Sequence, residues 1–264
     1  MPLVTCVVED GIAQVRLNRP EKLNALTLEL LAELGTTARS LRRDRSLRAV
    51  VLAGEGDAFT AGLDFASAMG DPRRLALAFM PRPWRGTNLF QEACWAWRRL
   101  PVPVIAAVHG HCLGGGVQIA LSADFRFATA DSAWSVLEGK WGIIPDMTGV
   151  RALAELVGID TAKRLTMTAA SFDGEEARRL GLVTELAADP VIAATAFARE
   201  LSAKSPDALA AAKRLFNDTW HRGPRATFAR ERIEQLRLLL GRNAKIAQKA
   251  AFKRQAPVYQ DRAR

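Results

Sequence analysis

The chain has 264 residues, enough for one large α/β domain, or for one domain with a helical appendage, and for a substantial core in either case. It carries 37 basic and 28 acidic residues, and this net charge of +9 suits a polyanionic partner such as a phosphate-bearing small molecule or RNA. Because the basic residues are spread along the chain, we interpret most of them as solvated surface rather than as a dedicated binding stripe.

The N-terminal part alternates between strands and helices. Residues 4–18 form two β-rich runs joined by Glu-Asp-Gly, which predicts a hairpin. Apolar residues at helical spacing predict a helix over 27–41, and the apolar run 47–54 predicts a buried strand. A second helix over 88–100 and a second buried strand over 102–108 follow. Alternating elements with short connections favour a layered α/β domain.

The remaining regions differ in regularity. Residues 65–88 contain several prolines and have weak periodicity, so we predict a mobile loop there. Beyond residue 145 the signals are almost wholly helical. Asp173 is a good N-cap with Glu176 in position for a capping box, and Gly181 would end that helix. The pair Ser205-Pro206 predicts the start of another helix.

Cysteine usage and apolar patterning indicate the class of protein. Cys6, Cys94 and Cys112 have neither paired spacing nor nearby histidines, so we expect no metal site and a reduced, cytoplasmic protein. Residues 1–11 lack the basic segment and apolar core of a signal peptide. The apolar stretch 102–121 contains proline, histidines and glycines, which predicts a buried strand, turn and helix rather than a membrane span.

Residues 109–121, HGHCLGGGVQIAL, place three consecutive glycines at a turn from strand to helix. The unpaired N–H groups of such a helix can receive a negatively charged oxygen, and glycine lets a substrate approach the backbone closely. The spacing is not G-x-G-x-x-G and no Lys-Ser pair follows, so neither a dinucleotide fingerprint nor a nucleotide-phosphate loop is predicted. Tight packing explains the glycines equally well when they are taken alone.

Five motifs together carry a resemblance to a known family. They occur in the order and approximate spacing of the enoyl-CoA hydratase/isomerase family, the crotonases: LNRPEKLNAL at 17–26, DAFTAGLDF at 57–65, AAVHGHCLGGGVQIAL at 106–121, GIIPDMTG at 142–149 and EEARRLGLV at 175–183. The resemblance implies an α/β fold, a crotonase-like spiral of ββα units. Residues 1–190 would form the core with the CoA-binding and catalytic motifs, and residues 191–264 a helical C-terminal region that covers the site and forms trimers.

The resemblance also implies a binding site for an acyl-CoA thioester. The backbone N–H groups of Leu63 and Gly115 match the oxyanion hole that polarises the thioester carbonyl in this family. Such a preorganised donor is typically worth about 3–4 kcal/mol. The CoA arm would lie along neighbouring positions, and Lys22 is the candidate for a CoA phosphate. The expected CoA- and substrate-binding residues are Lys22, Ala61, Gly62, Asp64 and Gly114.

Gln118 occupies a position that is a glutamate in the hydratases of the family. There, two glutamates together hold the water that is added, and the second one corresponds to Glu138. A glutamine can orient water but has no proton to exchange near neutral pH. A positioned acid or base is worth roughly 10²–10⁴-fold in rate, so hydration by the two-glutamate route loses support.

A second carboxylate is available at Asp146, which matches an aspartate used by dienoyl-CoA isomerases. Gly142 and Pro145 predict a turn that lets Glu138 and Asp146 face one cavity. Isomerisation needs a proton taken from one carbon and returned at another, which carboxylates can do if burial raises a pKa toward the working range. Alternatively, Asp146 caps a helix that begins near residue 147 or 148.

The sequence therefore predicts an acyl-CoA enzyme that isomerises a double bond, with Glu138, Asp146 and Gln118 as its catalytic candidates. Hydration of a 2-enoyl-CoA is the alternative, with Gln118 in place of the usual glutamate. A catalytically weak acyl-CoA binder and an RNA-binding homologue are further alternatives, although no basic stripe interleaved with aromatics supports the latter. No metal or separate cofactor is expected, since CoA enters with the substrate. The expected partners are the acyl-CoA and further copies of the chain, as a homotrimer or a dimer of trimers, without a membrane or nucleic acid.

Overall fold

The computed structural model describes residues 1–263. Its strands are β1 (Val4–Glu9), β2 (Ile12–Leu17), β3 (Ala49–Gly54), β4 (Val104–Val108), β5 (His111–Leu113), β6 (Phe125–Ala128), β7 (Ala133–Ser135) and β8 (Glu185–Leu186). The main sheet has the order β1-β2-β3-β4-β6-β8, antiparallel between β1 and β2 and parallel elsewhere. A second, small sheet pairs β5 with β7 in parallel. The predicted α/β class is confirmed.

The helices cover both faces of the main sheet and make up most of the C-terminal part. They are α1 (Leu28–Leu41), α2 (Phe65–Met69), α3 (Pro72–Phe79), α4 (Leu89–Arg98), α5 (Gly115–Leu121), α6 (Gly149–Leu156), α7 (Ile159–Thr168), α8 (Gly174–Arg179), α9 (Pro190–Ser202), α10 (Pro206–Thr219), α11 (Pro224–Leu240) and α12 (Arg242–Lys253). Short 3-10 helices occur at Pro20–Lys22 and Leu137–Trp141.

Local signals account for the elements that the sequence predicted. Asp10 and Gly11 both have positive φ, at 51° and 75°, as a two-residue hairpin between β1 and β2 requires. The Thr27 side chain accepts from the Leu30 N–H at the start of α1, and the Ser205 side chain accepts from the Ala208 N–H at the start of α10. These contacts satisfy N–H groups that have no partner within their own helix.

The predicted mobile loop over 65–88 is wrong, because α2 and α3 occupy its first half. Asp64 accepts a hydrogen bond from the Ser67 N–H, and Asp71 accepts one from the Arg74 N–H. Pro72 follows Asp71 at the first helical position, where its missing N–H costs nothing. These start signals override the weak periodicity on which the loop prediction rested.

A second correction concerns the predicted capping box of α8. Asp173 does cap this helix, since its side chain accepts from the Glu176 N–H. The Glu176 carboxylate, however, binds the Arg179 guanidinium at 2.5 Å. In the described structure the box is therefore not closed, because an arginine one turn later outcompetes a backbone N–H for the carboxylate.

Two apolar layers hold the sheet. Along β4, alternate side chains point to opposite faces, with Val104, Ala106 and Val108 in one layer and Ile105 and Ala107 in the other. The first layer is completed mainly by α1, α4 and α5, and the second by α9. The division at residue 190 stays a prediction, and residue 264 lies outside the described part. Within residues 1–263, no helix is long and apolar enough to cross a membrane.

The parallel strands bring two loops together at one edge of the sheet. β3 and β4 end at Gly54 and Val108, and the chain then runs alongside itself. The Thr60 N–H donates to the His111 carbonyl at 2.8 Å, and the Leu113 N–H donates to the Thr60 carbonyl at 3.1 Å. The carboxyl ends of parallel strands are where α/β proteins commonly bind ligands.

Candidate active site

A cavity of about 690 Å³ opens at this edge of the sheet. Its wall is mainly apolar, and Glu138 and Asp146 are the carboxylates among its lining residues. Such a cavity, with a few converging polar groups, has the character of a small-molecule site. The predicted residues Ala61, Gly62, Leu63, Gly114 and Gly115 line the same cavity, so the structure brings most of the predicted site together.

The Leu63 and Gly115 backbones reach the cavity from the two adjoining loops. Among the described residues, neither N–H donates to a protein acceptor. Gly115 is the first residue of α5, where an N–H has no intrahelical partner. Gly114 precedes it at φ 52° and ψ −117°, a conformation essentially restricted to glycine, and this turn starts the helix at the cavity.

Glu138 lies on the 3-10 helix Leu137–Trp141 and is only 6% exposed. Its Oε1 accepts a hydrogen bond from the Gln118 Nε2 at 2.5 Å. Its Oε2 is buried and has no hydrogen-bond partner among the described residues. Burial raises the pKa of this carboxyl, and the charge of Asp146 adds to that effect, while hydrogen bonds from its own backbone and from Gln118 oppose it.

Asp146 is half-buried in the turn before α6 and lines the same cavity as Glu138. Burial raises its pKa as well. The alternative role as a helix cap does not match the geometry, since α6 begins at Gly149 and its N-cap position is Thr148. The N–H groups of Met147 and Gly149 instead donate to the Gln118 Oε1, at 2.8 and 2.9 Å.

Gln118 lies on the buried face of α5 and is 2% exposed. It is not among the residues that line the cavity in the described structure, and it reaches the site only through Glu138. Its amide connects Glu138 to the turn at residues 147–149. The sequence pattern did not reveal these contacts, because they join residues that are 20 to 31 positions apart.

The segment predicted to hold the CoA arm is fixed by its own contacts. The Ala61 N–H donates to the Leu23 carbonyl at 2.9 Å, which sets the turn that contains the exposed Lys22 against Ala61. The Asp64 carboxylate pairs with Arg19 at 2.8 Å and caps α2, so its oxygens already have partners. Arg19, which the sequence reasoning missed, lies in the RPEK turn.

Aromatic side chains form part of the cavity wall. From the sequence, Trp84, Trp134 and Trp141 are candidates for an acyl pocket or for the core; of these, Trp141 lines the cavity and Trp134 is a fully buried core residue. The Phe65 and Trp141 rings lie 4.7 Å apart, and the Phe79 and Phe90 rings lie 4.8 Å apart. Leu75, one helical turn before Phe79 on α3, adds to this wall. Across the described part of the chain, no cluster of three or more His, Cys, Asp or Glu side chains could hold a metal ion.

Comparisons with known proteins confirm the predicted crotonase-like fold. The family described as enoyl-CoA hydratase/isomerase matches residues 8–250. The human mitochondrial Delta(3,5)-Delta(2,4)-dienoyl-CoA isomerase is 34% identical over 210 residues, 76% of this chain but only 64% of the length of the isomerase. The hydroxycinnamoyl-CoA hydratase-lyase of Pseudomonas fluorescens is 32% identical over 247 residues, 88% of this chain and 85% of that protein. The crystal structure of the enoyl-CoA hydratase from Bacillus anthracis superposes with a TM-score of 0.89 at 26% identity, covering 97% of this chain and 98% of that one.

Proposed function

Because the chain belongs to the enoyl-CoA hydratase/isomerase family, we propose that it moves a double bond within an unsaturated acyl-CoA thioester. The observation that carries this proposal is the arrangement of titratable groups. Glu138 and Asp146 share one apolar cavity and both have raised pKa values, whereas the Gln118 amide lies outside the cavity lining. Two carboxylates can exchange a proton with carbon. Among the described residues, Glu138 is the one glutamate that lines the cavity, so the two-glutamate arrangement that activates water is not formed.

The proposed reaction begins when one carboxylate removes a proton from a saturated carbon, either next to the thioester carbonyl or next to a double bond that is conjugated with it. The C–H electron pair moves into the conjugated system, and negative charge collects on the thioester oxygen. The N–H groups of Leu63 and Gly115 then stabilise this oxygen. Glu138 is the principal acid and base, and Asp146 is the second carboxylate. A proton returned at another carbon completes the shift of the double bond, so no water is consumed.

The apolar wall of the cavity favours an uncharged acyl group. The wall made by Phe65, Leu75, Phe79, Phe90 and Trp141 offers aromatic and aliphatic contacts. A carboxylate or ammonium group placed there would lose its hydration without gaining a partner. We therefore propose that the acyl chain is apolar. The names of two relatives, a dienoyl-CoA isomerase and a hydroxycinnamoyl-CoA hydratase-lyase, fit an unsaturated or aromatic acyl group.

Hydration remains the second candidate. The hydratase-lyase and the solved hydratase are among the similar proteins. The motif resemblance also gives Glu138 the position of a hydratase glutamate. In that reaction Glu138 or Asp146 would supply the proton and Gln118 would help to place the water. The position of Gln118 behind Glu138 favours isomerisation, because its only donated side-chain hydrogen bond in the described structure goes to Glu138.

One experiment separates the two reactions. The purified protein is incubated in deuterated water with 2-enoyl-, 3-enoyl-, 2,4-dienoyl- and 3,5-dienoyl-CoA esters, and the products are followed by mass spectrometry. Isomerisation gives a shifted double bond with deuterium on carbon and no added water, whereas hydration adds one water. We expect the first result, and a roughly 10²–10⁴-fold loss in kcat for Glu138→Gln. Unchanged turnover of every accepted ester in both Glu138→Gln and Asp146→Asn would contradict the proposed roles.

We also propose a homotrimer or a dimer of trimers in the cytoplasm. Several apolar side chains on α11 are exposed in the single chain, including Leu236, Leu239 and Leu240. Exposed apolar residues grouped on one element commonly mark a contact with another protein surface. Cys6, Cys94 and Cys112 are free thiols, which suits a reducing compartment. The basic balance of the chain suits the phosphates of CoA.

A further inference from the structure

The orientation of the Gln118 amide is determined by its surroundings. Its Oε1 faces two backbone donors, the N–H groups of Met147 and Gly149, at 2.8 and 2.9 Å. The opposite orientation would direct the amide NH₂ at those two N–H groups, and donors cannot bond to donors. The Nε2 must therefore point at Glu138, where it lies 2.5 Å from Oε1.

This fixed donor constrains the proton of Glu138. An amide nitrogen only donates, so the Glu138 Oε1 must act as an acceptor. A carbonyl-type oxygen is a better acceptor than the hydroxyl oxygen of a carboxylic acid, so the neutral acid keeps its hydrogen bond when Oε2 carries the proton. Oε2 is also the oxygen that has no partner within the described structure.

We propose that Gln118 is a positioning residue that assigns the exchangeable proton of Glu138 to Oε2 and links this carboxyl to the turn that carries Asp146. The inference rests on the proposed function and deepens it. Glutamine at 118 supplies a donor that never titrates, so Glu138 and Asp146 are the two titrating carboxyls of the cavity lining. A glutamate at 118 would add a third titrating group and remove the fixed donor.

Few other charges act on this carboxyl. Among the described residues, Asp146 is the group whose charge raises the pKa of Glu138. The thiol of Cys94 on α4 stays protonated and uncharged, because burial raises its pKa. α5, which carries Gln118, has no ionisable side chain. Lys140 on the same 3-10 helix is exposed, as are Asp160, Lys163 and Arg164 on the neighbouring α7. The Gln118 donor is thus the principal side-chain group that opposes the burial of Glu138.

Gly149 offers a way to disturb the link without altering Gln118. A Cβ at this position would lie 2.6 Å from the Gln118 Oε1 and 2.8 Å from its Cδ, closer than real contacts allow. Gly149→Ala must therefore displace the amide. Gly223 is the matched control, because a Cβ there would meet nothing within 4 Å and its φ of −68° suits alanine.

The test compares Gln118→Met, Gln118→Glu and Gly149→Ala with the wild type and with Gly223→Ala. Met is similar in length but cannot donate, so we expect the pKa on the acidic limb of kcat/KM to rise. We also expect kcat to fall by about 10²-fold, as for a misplaced catalytic group, with KM changing little. Gln118→Glu keeps an acceptor for the two N–H groups, so its melting temperature should lie closer to that of the wild type than the melting temperature of Gln118→Met does. Its negative charge should also raise the pKa on the acidic limb of kcat/KM.

Infrared difference spectra across pH provide a readout that does not depend on turnover. The carboxyl band that disappears in Glu138→Gln belongs to Glu138, and its midpoint should rise in Gln118→Met and in Gly149→Ala but not in Gly223→Ala. Folded variants in which this midpoint and the kcat/KM profile both match the wild type would overturn the inference. If Glu138→Gln and Asp146→Asn both retain full turnover of every accepted ester instead, the proposed function fails, whatever the spectra show.

Discussion

At the scale of single residues, the burial of Glu138 destabilises the folded chain when its carboxyl is ionised. Because burial raises its pKa in the folded state, the folded chain holds this proton more tightly than the unfolded chain does. The resulting stabilisation is fully present below the unfolded pKa, near 4.3, and is lost as the pH rises through the folded pKa. The stability contribution of Asp146 has the same pH dependence, because burial raises its pKa as well.

We therefore expect Glu138→Gln to raise the melting temperature at pH 8, because the neutral amide replaces an ionised buried carboxylate. The gain should shrink toward pH 4, where the wild-type carboxyl is also neutral. Each kcal/mol recovered should raise the melting temperature by roughly 2–4 °C in a domain of this size. Thermal unfolding followed by circular dichroism between pH 4 and pH 8 measures this difference in melting temperature between Glu138→Gln and the wild type.

Glu176→Gln is the control for this prediction. The Glu176 carboxylate is partly exposed and binds Arg179, which lowers its pKa rather than raising it. Its replacement should give no gain at pH 8. A melting temperature of Glu138→Gln that is equal to or below that of the wild type across the whole pH range would show that burial of this carboxylate is not costly.

At the scale of elements, α3 is a short helix whose start determines the shape of the acyl wall. It spans Pro72–Phe79, with Leu75 and Phe79 in the cavity wall and Asp71 as the N-cap. An N-cap is typically worth about 1 kcal/mol, which is a large contribution for a helix of two turns. Loss of the cap should therefore loosen the wall without affecting Glu138.

We expect Asp71→Ala to raise KM about fivefold for a long apolar acyl-CoA, from the loss of about 1 kcal/mol, and to change KM little for a four-carbon ester. Steady-state kinetics with a chain-length series measure this. Asp189→Ala is the matched control, because Asp189 caps α9 in the same Asp-Pro arrangement but lies outside the cavity lining. Equal changes in KM for long and short esters would show that α3 does not shape the acyl site.

The elements that could be predicted are those with strong local signals. Asp173 and Ser205 cap helices where the sequence predicted them. The small sheet of β5 and β7 could not be predicted, because its pairing of Cys112 with Trp134 joins distant residues within three-residue strands.

Contacts between distant residues were also unpredictable at the candidate site. The motif resemblance located Glu138 and Asp146, but the link from Gln118 to Met147 and Gly149 depends on tertiary packing. Aromatic residues of the acyl wall carry no local signal that separates them from core residues. The sequence therefore predicted which residues gather at the site, but not which of them face its cavity.

At the scale of the whole molecule, the C-terminal helices are attached to the core by a buried ion pair. Lys213 on α10 binds Asp124 at 2.6 Å and also donates to the carbonyl groups of Trp97 and Val102. Removing one partner of such a pair typically costs 3–5 kcal/mol. α10 is thus held firmly on the core, while the exposed apolar side chains of α11 are left for another surface.

We expect light scattering to give three or six times the mass of one chain. Leu236→Asp combined with Leu239→Asp should reduce that mass toward one chain, since charges would be buried at the contact. The far-ultraviolet circular dichroism spectrum of this double variant should match that of the wild type, because its helices stay folded. Val7→Asp, which is exposed on the edge strand β1, is the control that should keep the wild-type mass. A wild-type mass of one chain would contradict the proposed assembly.

The contacts of Gln118 also affect how this protein can evolve. Glutamine and glutamate codons differ by a single base, and the two side chains have nearly the same shape. Glutamate at 118 could still accept from the Met147 and Gly149 N–H groups, so the turn would survive the exchange. One point mutation would then alter the number of protons in the site while leaving its architecture in place. On the proposed function, a lineage with this arrangement would gain or lose the second glutamate in one step, and every protein along that step could still fold.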